Sequence, residues 1–209
     1  MSHLQQTSLY PALLHYPVKN KEGRAIASAV TSIDLHDIAR AARTYGAAGF
    51  YVITPLEDQR EFAGKIIDHW INGAGAVYNP HRREALELIR IRADLNEAVE
   101  EIRAGENKEV RIVSTSAFPA ERQMGYNEFK SALRCGENAY LLALGTAWGL
   151  SDEFMKKADC RLAPIAGNND YNHLSVRSAA SIILDRLIGD RAGGTDATQE
   201  PESDRGNPV

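Results

Sequence analysis

Apolar and polar positions follow two patterns along the chain, and each pattern predicts one kind of secondary-structure element. Short, nearly continuous apolar runs predict buried strands at residues 9–18, 49–55, 109–119, 139–145 and 159–165. Apolar residues spaced three or four apart predict helices at residues 34–46, 58–73, 126–136, 151–158 and 172–187. This alternation predicts an α/β fold, a mainly parallel sheet with helices on both faces.

The first predicted helix shows the pattern most clearly. We expect Asp34 to cap its N-terminus, because a carboxylate accepts hydrogen bonds from the free backbone N–H groups there. Leu35, Ile38 and Ala42 then fall on one face, and Gly46 follows as the residue that ends the helix.

The remaining sequence predicts one domain, residues 1–189, with a helical insert at about 80–107 and a tail at 190–209. The tail has five acidic and two basic residues and a single aliphatic side chain larger than alanine, so we expect it to be a disordered acidic segment. Of the chain's net charge of −4, the tail accounts for −3. Residues 1–189 are therefore nearly neutral, and their charge neither implies nor excludes a nucleic-acid partner.

Composition narrows the class of protein. The chain has 209 residues, 44% of them hydrophobic, which is ordinary for a globular protein. No apolar run reaches the roughly 20 residues of a membrane helix, and the first residues lack the pattern of a signal peptide. Cys135 and Cys160 have no partners at the spacings of a zinc site. We expect a cytoplasmic protein without metal and without membrane attachment.

Ligands of parallel sheets bind beyond the carboxyl ends of the strands, and this rule selects three loops, residues 115–119, 145–151 and 165–175. The second loop, GTAWG, places Trp148 between two glycines, as a strand–helix turn or a backbone surface for a ligand would require. The third is unusually long and polar for a connection between a strand and a helix. Neither the P-loop motif nor a G-x-G-x-x-G after the first strand is present, which argues against an NTPase or a dinucleotide-binding enzyme.

Two basic clusters are candidates for binding an anion or a phosphate backbone, although each is also compatible with a solvated surface. His36, Arg40 and Arg43 share the polar face of the first helix. Arg82 and Arg83 form a second cluster.

Four motifs resemble a bacterial family of the SPOUT class of RNA methyltransferases, which depend on S-adenosylmethionine. They are HYPV at His15–Val18, a segment ending ARTYG at Thr31–Gly46, YVITPLE at Tyr51–Glu57, and GNNDYNHLSVRSA at Gly167–Ala179. The resemblance covers nearly all of residues 9–189. It implies a C-terminal trefoil knot and a homodimer whose knot loops bind the cofactor.

The resemblance also implies the residues of the site. The cofactor-binding residues would be Thr115, Ser116, Leu144, Gly145, Trp148, Gly149, Leu150, Ile165, Gly167, Asn172, Leu174 and Ser175. The catalytic residues would be Arg40, Asp170 and His173, with Asp34 as an alternative base. The RNA-binding candidates come from the two basic clusters and not from the resemblance: His36, Arg43, Arg82 and Arg83.

We therefore expect methyl transfer from S-adenosylmethionine to RNA, with tRNA as the expected substrate. Base and ribose methylation both stay open, because Asp34 stands where the ribose-methylating branch has asparagine, while GTAWG followed by Leu-Ser is similar to the base-methylating branch. A knotted dimer that binds RNA or a nucleoside without catalysis is the alternative function. An unrelated α/β enzyme acting on a small molecule is the third.

Overall fold

The computed structural model describes residues 7–189, so the predicted tail lies outside the described residues. The strands are β1 (Leu9–Leu14), β2 (Val18–Lys19), β3 (Ala25–Ile26), β4 (Phe50–Ile53), β5 (Ile89–Arg92), β6 (Glu109–Ser114), β7 (Asn138–Gly145) and β8 (Cys160–Arg161). The helices are α1 (Ser32–Tyr45), α2 (Glu57–Ile71), α3 (Ala74–Tyr78), α4 (Pro80–Leu86), α5 (Leu95–Glu106), α6 (Tyr126–Cys135), α7 (Asp152–Lys157) and α8 (Val176–Ile188). None of these helices is long and apolar enough to cross a membrane.

The main sheet confirms the predicted fold class. Its six strands run parallel in the order β5-β4-β1-β7-β6-β8, while β2 and β3 form a separate antiparallel pair. Along β7 the side chains alternate between two buried clusters: Leu142 and Leu144 pack with α1, α6 and α8, whereas Leu141 and Ala143 pack with α5 and α7. Helices therefore cover both faces, and only loops remain at the carboxyl edge, above β1, β7, β6 and β8.

The predicted helical insert is wrong in its middle. Ile89–Arg92 forms the edge strand β5, paired with β4, between the helices α4 and α5. The sequence IRIR alternates with the period of a strand, and β-branched isoleucine favours a strand. Arg90 and Arg92 reach Glu101 on α5, which neutralises charges that would otherwise oppose burial of this edge.

Several predicted boundaries also need correction. Thr31, not Asp34, caps α1: its side chain accepts from the backbone N–H of Asp34 at 3.3 Å, and Asp34 lies within the first turn. Ser175 caps α8, so that helix begins four residues after Asn172. The predicted strands at 9–18, 109–119 and 159–165 are shorter than expected, because their last residues form the loops of the carboxyl edge.

Candidate functional site

The loops that follow β6, β7 and β8 enclose one cavity of about 1040 Å³ at the carboxyl edge of the sheet. This volume lies slightly above the range of roughly 300–1,000 Å³ that is typical of small-molecule sites. Eleven of the twelve predicted cofactor-binding residues line it: Thr115, Ser116, Leu144, Gly145, Trp148, Gly149, Leu150, Ile165, Asn172, Leu174 and Ser175. Gly167 does not line the cavity, although it belongs to the same loop.

Residues 145–150, here called the β7 loop, have a backbone path that depends on glycine. A Cβ on Gly145 would lie 2.5 Å from the backbone nitrogen of Leu150, so no side chain fits there. Gly149 has φ +92°, a conformation that L-residues with side chains rarely adopt. Lys19 of β2 fixes the loop from outside: its carbonyl accepts from Trp148 N–H at 3.1 Å and its N–H donates to the Gly149 carbonyl at 2.8 Å.

The loop after β8 is tied to the loop after β6. Asn172 donates from its side-chain amide to the carbonyl of Ala117 at 2.8 Å, and Arg161 donates to the carbonyl of Phe118 at 2.7 Å. Around the cavity mouth, Phe118, Trp148 and Leu174 leave much of their surface exposed. The walls of the cavity are therefore hydrogen-bonded to each other, while its rim offers apolar side chains to solvent.

Asp34 and Arg177 form an ion pair in the cavity wall. The Asp34 carboxylate is buried, accepts from Arg177 Nη1 at 2.7 Å and accepts from the Thr31 hydroxyl at 2.6 Å. Arg177 Nε also lies 3.5 Å from a carboxylate oxygen of Asp37. The sequence analysis assigns no role to Arg177; its position two residues after the helix-capping Ser175 in the SVRSA segment is the available signal.

The three predicted catalytic residues occupy different positions. His173 lines the cavity, whereas Asp170 is exposed on the same loop and does not line it. Arg40 is exposed on α1, outside the cavity lining. Packing at the carboxyl edge therefore brings one of the three, His173, into the cavity together with Asp34.

The predicted RNA-binding residues come together on a second surface, where α1 packs against α4. The Arg82 guanidinium lies 4.5 Å from the centre of the Trp70 ring, and His36 contacts the same ring edge-on. Arg43 pairs with Glu84 at 2.7 Å, and Arg83 pairs with Glu87 at 2.9 Å.

Within this surface, burial lowers the pKa of His36, and the Arg82 guanidinium lowers it further. His36 is therefore a neutral group at neutral pH. The net positive charge available to a partner comes from Arg40 and Arg82: among the described residues neither side chain forms an ion pair, and the Arg82 guanidinium contacts the Trp70 ring.

Comparison with known proteins identifies the family. A family model described as SAM-dependent RNA methyltransferase matches residues 8–189. The chain belongs to this family. A "tRNA (guanine-N(1)-)-methyltransferase" of Oleidesulfovibrio alaskensis is 42% identical over 183 residues, which are 88% of this chain and 42% of that protein. The chain thus spans less than half the length of this relative.

One further relative and one solved structure also match most of this chain. An Aquifex aeolicus protein described as uncharacterized is 36% identical over 181 residues and is matched over 88% of its own length. The SpoU methyltransferase AviRb of Streptomyces viridochromogenes, solved with AdoMet, has a TM-score of 0.53 and 20% identity, covering 91% of this chain and 60% of that one. At this identity the likeness shows the fold, which is that of the SpoU methyltransferases.

The cavity of this family member fits S-adenosylmethionine in size and chemistry. A Cβ on Gly149 would meet no protein atom within 4 Å, so the glycine leaves unfilled space beside the β7 loop. The lining combines aliphatic side chains, which suit an adenine ring, with charges of both signs, which suit a zwitterionic amino-acid group. Leu144, Leu150 and Ile165 supply the aliphatic surface.

Proposed function

We propose that the chain transfers a methyl group from S-adenosylmethionine to a nucleotide of RNA, with tRNA as the substrate. One observation carries the proposal: three loops that are separate in the sequence close around one cavity, and they bring eleven of the twelve residues expected to bind the cofactor into its lining. Family membership independently supports the same cofactor and the same class of acceptor.

The tRNA substrate is supported by the name of the Oleidesulfovibrio relative. More than half of that relative lies outside the matched segment, so the activity in its name can reside in either part. The Aquifex protein has nearly the length of the matched unit, which supports a role for the unit by itself. The proposed activity is therefore methylation of tRNA and does not extend to the guanine N1 atom in that relative's name.

When bound, the cofactor supplies a methyl group on a good leaving group, so the protein has mainly to position the acceptor and accept a proton where one is lost. His173 is the proposed proton acceptor, because it lies in the cavity wall and is exposed. Asp170, three residues earlier, is the alternative on the same loop. Asp34 is less suited, because Arg177 and Thr31 already occupy its oxygens.

We propose that RNA extends from the cavity across the surface of α1 and α4. Arg40 would hold a phosphate group of the RNA or stabilise developing negative charge, and Arg82 would contribute a guanidinium next to the Trp70 ring. Arg40 does not line the cavity, which supports contact with RNA and not with the methyl donor.

We propose a cytoplasmic homodimer. Phe118, Trp148, Tyr171 and Leu174 expose between 45% and 75% of their surface on the cavity loops. A second copy would remove this apolar surface from water and complete the binding cleft for the RNA. Sedimentation equilibrium of the purified chain measures the assembly directly.

We propose that the C-terminal segment passes through the loop after β6 to form a trefoil knot. The contact between these segments supports it: Met124 N–H donates to the Arg161 carbonyl at 2.7 Å, and Ala163 N–H donates to the Met124 carbonyl at 2.9 Å.

The test is to incubate the chain with labelled S-adenosylmethionine and total tRNA, then to map the modified nucleoside by mass spectrometry. We expect one nucleoside to become labelled, with Lys157→Ala as a matched surface control. Saturable cofactor binding without label in RNA would support the non-catalytic RNA-binding dimer, which the engaged carboxylate of Asp34 favours. An absence of cofactor binding would refute both functions.

A further inference from the structure

We propose that His15 positions the β7 loop through Ser28 and Thr146, and that it does so as the neutral tautomer protonated at Nδ1. The consequence for the cofactor rests on the function proposed above, whereas the hydrogen-bond chain itself does not. His15 and Ser28 are not among the residues expected from the sequence to contact the cofactor or the RNA, and Thr146 is expected there only as part of the GTAWG loop.

His15 is held in place before its side chain makes any contact. It directly follows β1 and is completely buried. Its backbone N–H donates to the carbonyl of Ile53 at 2.9 Å, and its own carbonyl accepts from the N–H of Ser28 at 2.8 Å. The backbone that carries the imidazole is therefore fixed at the carboxyl edge of the sheet, between the ends of β4 and β7.

A chain of side-chain contacts leads from this ring to the cavity. His15 Nδ1 lies 3.0 Å from Ser28 Oγ, and Ser28 Oγ lies 2.5 Å from Thr146 Oγ1. Thr146 Oγ1 in turn lies 3.1 Å from the carbonyl oxygen of Leu14. Thr146 lines the cavity within the β7 loop, so the chain joins the end of β1 to the cavity wall.

The last acceptor sets the direction of these hydrogen bonds. The carbonyl of Leu14 can only accept, so Thr146 donates to it and must accept from Ser28. Ser28 has then used its only proton and must accept from His15, which therefore carries its proton on Nδ1. This arrangement forms three hydrogen bonds.

The reverse direction forms only two. It leaves the Thr146–Leu14 contact unused and places the ring proton on Nε2. This nitrogen has no hydrogen-bond partner of normal geometry among the described residues, although the Ala29 carbonyl lies near the ring. A buried N–H without a partner is rarer in proteins than an acceptor without one. The Nδ1-protonated tautomer is therefore favoured.

The neutral state of the ring is consistent with its surroundings. Burial lowers the pKa of His15 to about 4, against the opposing effect of the Asp34 carboxylate. The ring thus stays uncharged at neutral pH.

The loop needs such support because its backbone is unusual. Ala147, next to Thr146, has φ +50° without being a glycine, and Gly149 has φ +92°. The described hydrogen bonds of Trp148 and Gly149 to Lys19 hold one end of the loop. The His15 chain holds the other end, at Thr146.

A pair of isosteric variants tests which ring nitrogen matters. In His15→Asn the side-chain amide takes the place of Nδ1, and in His15→Gln it takes the place of Nε2. We expect His15→Asn to bind S-adenosylhomocysteine within about threefold of wild type by calorimetry. We expect His15→Gln and Ser28→Ala to bind at least tenfold more weakly, with Lys157→Ala unchanged. Equal binding by His15→Gln and wild type would refute the positioning role.

Two measurements do not depend on the cofactor. The ¹H–¹⁵N spectrum of the imidazole should show Nδ1 protonated, and a proton on Nε2 would refute the tautomer. Trp70→Phe leaves Trp148 as the only tryptophan of the chain. In this background, His15→Gln should make Trp148 more accessible to acrylamide, whereas His15→Asn should not. A wild-type protein that binds no cofactor would refute the proposed function but not the positioning role. Unchanged acrylamide quenching of Trp148 in His15→Gln would refute the positioning role.

Discussion

The ion pair of Asp34 and Arg177 shows how single residues join distant parts of the chain at the cavity. Asp34 lies in the first turn of α1 and Arg177 in the first turn of α8, and their contact fixes these two helix ends side by side. The buried carboxylate depends on this partner, because an unpaired charge away from water is costly.

Arg177→Ala should lower the free energy of unfolding by about 1–3 kcal/mol, since Arg177 is partly exposed and Asp34 would keep a buried charge without its guanidinium. Asp34→Asn removes the buried charge itself, so it should lower the free energy of unfolding by less than Arg177→Ala. Urea unfolding of both variants and of the double variant gives the coupling between the two residues. Additive effects would show that the pair contributes no coupling.

Arg40→Ala should reduce methyl transfer by roughly 30- to 1,000-fold, because a guanidinium that contacts a phosphate or an oxyanion contributes about 2–4 kcal/mol in the transition state. Cofactor binding and assembly should stay unchanged. Arg40→Lys should recover only part of the rate, because an ammonium lacks the two-pronged geometry. The control is Lys65→Ala, which removes an exposed positive charge on α2. A normal rate in Arg40→Ala would leave Arg40 as a surface residue.

Protonation of His15 should lower the free energy of unfolding as the pH falls from about 6.5 to about 4. Burial lowers its pKa from 6.5 to about 4 in the folded protein, so the unfolded chain binds more protons in this window. The contribution is complete above pH 6.5 and is lost as the pH falls, by about 2–3 kcal/mol at pH 4.5. Urea unfolding at both pH values measures it, and His15→Asn should remove this part of the pH dependence. Identical pH dependence in the two proteins would contradict the assignment.

At the scale of elements, the β7 loop is the element whose shape the cavity depends on most. Its first residue, Gly145, ends β7 and passes so close to Leu150 that the chain has no room for a Cβ. The loop therefore closes on itself only with glycine at this position.

Gly145→Ala should weaken binding of S-adenosylmethionine at least tenfold, about 1.4 kcal/mol, because the Cβ would push the backbone of Leu150 outward. Gly149→Val should weaken it similarly through its positive φ. Gly136→Ala is a useful control, since Gly136 also has positive φ but lies between α6 and β7, at the opposite end of that strand from the loop. The affinity of Gly136→Ala for S-adenosylmethionine should match that of wild type, and calorimetry measures the affinities of all three variants.

Elements whose pattern is local were predictable, and those that depend on tertiary contacts were not. The apolar strands and the loops after them could be located, because parallel strands place their carboxyl ends at one edge. The alternation in Ile89–Arg92 spans only four residues and is flanked by helix formers, and the pairing of its arginines with Glu101 is a tertiary contact, so this strand could not be distinguished from a helix. The role of Arg177 could not be predicted either, because its partner Asp34 is 143 residues away in the sequence.

At the scale of the whole molecule, the family match and the described structure both end at residue 189. Truncation after Gly189 should change the melting temperature by less than about 2 °C and leave cofactor affinity unchanged, because residues 190–209 offer almost no apolar surface to bury. Calorimetric melting of the two chains tests this. A large decrease would mean that the tail packs against the domain.

The central place of β1 in the sheet has a consequence for synthesis on the ribosome. Leu14 and Thr146 are bonded across 132 residues of sequence, and at roughly 5–20 residues per second the second is made about 7–26 s after the first. During that interval β1 can pair with β4 but not with β7, and one of its edges stays open. Arg177 follows later still, so a nascent chain has no complete cavity until α8 emerges, and occupation by the cofactor would mark a finished molecule.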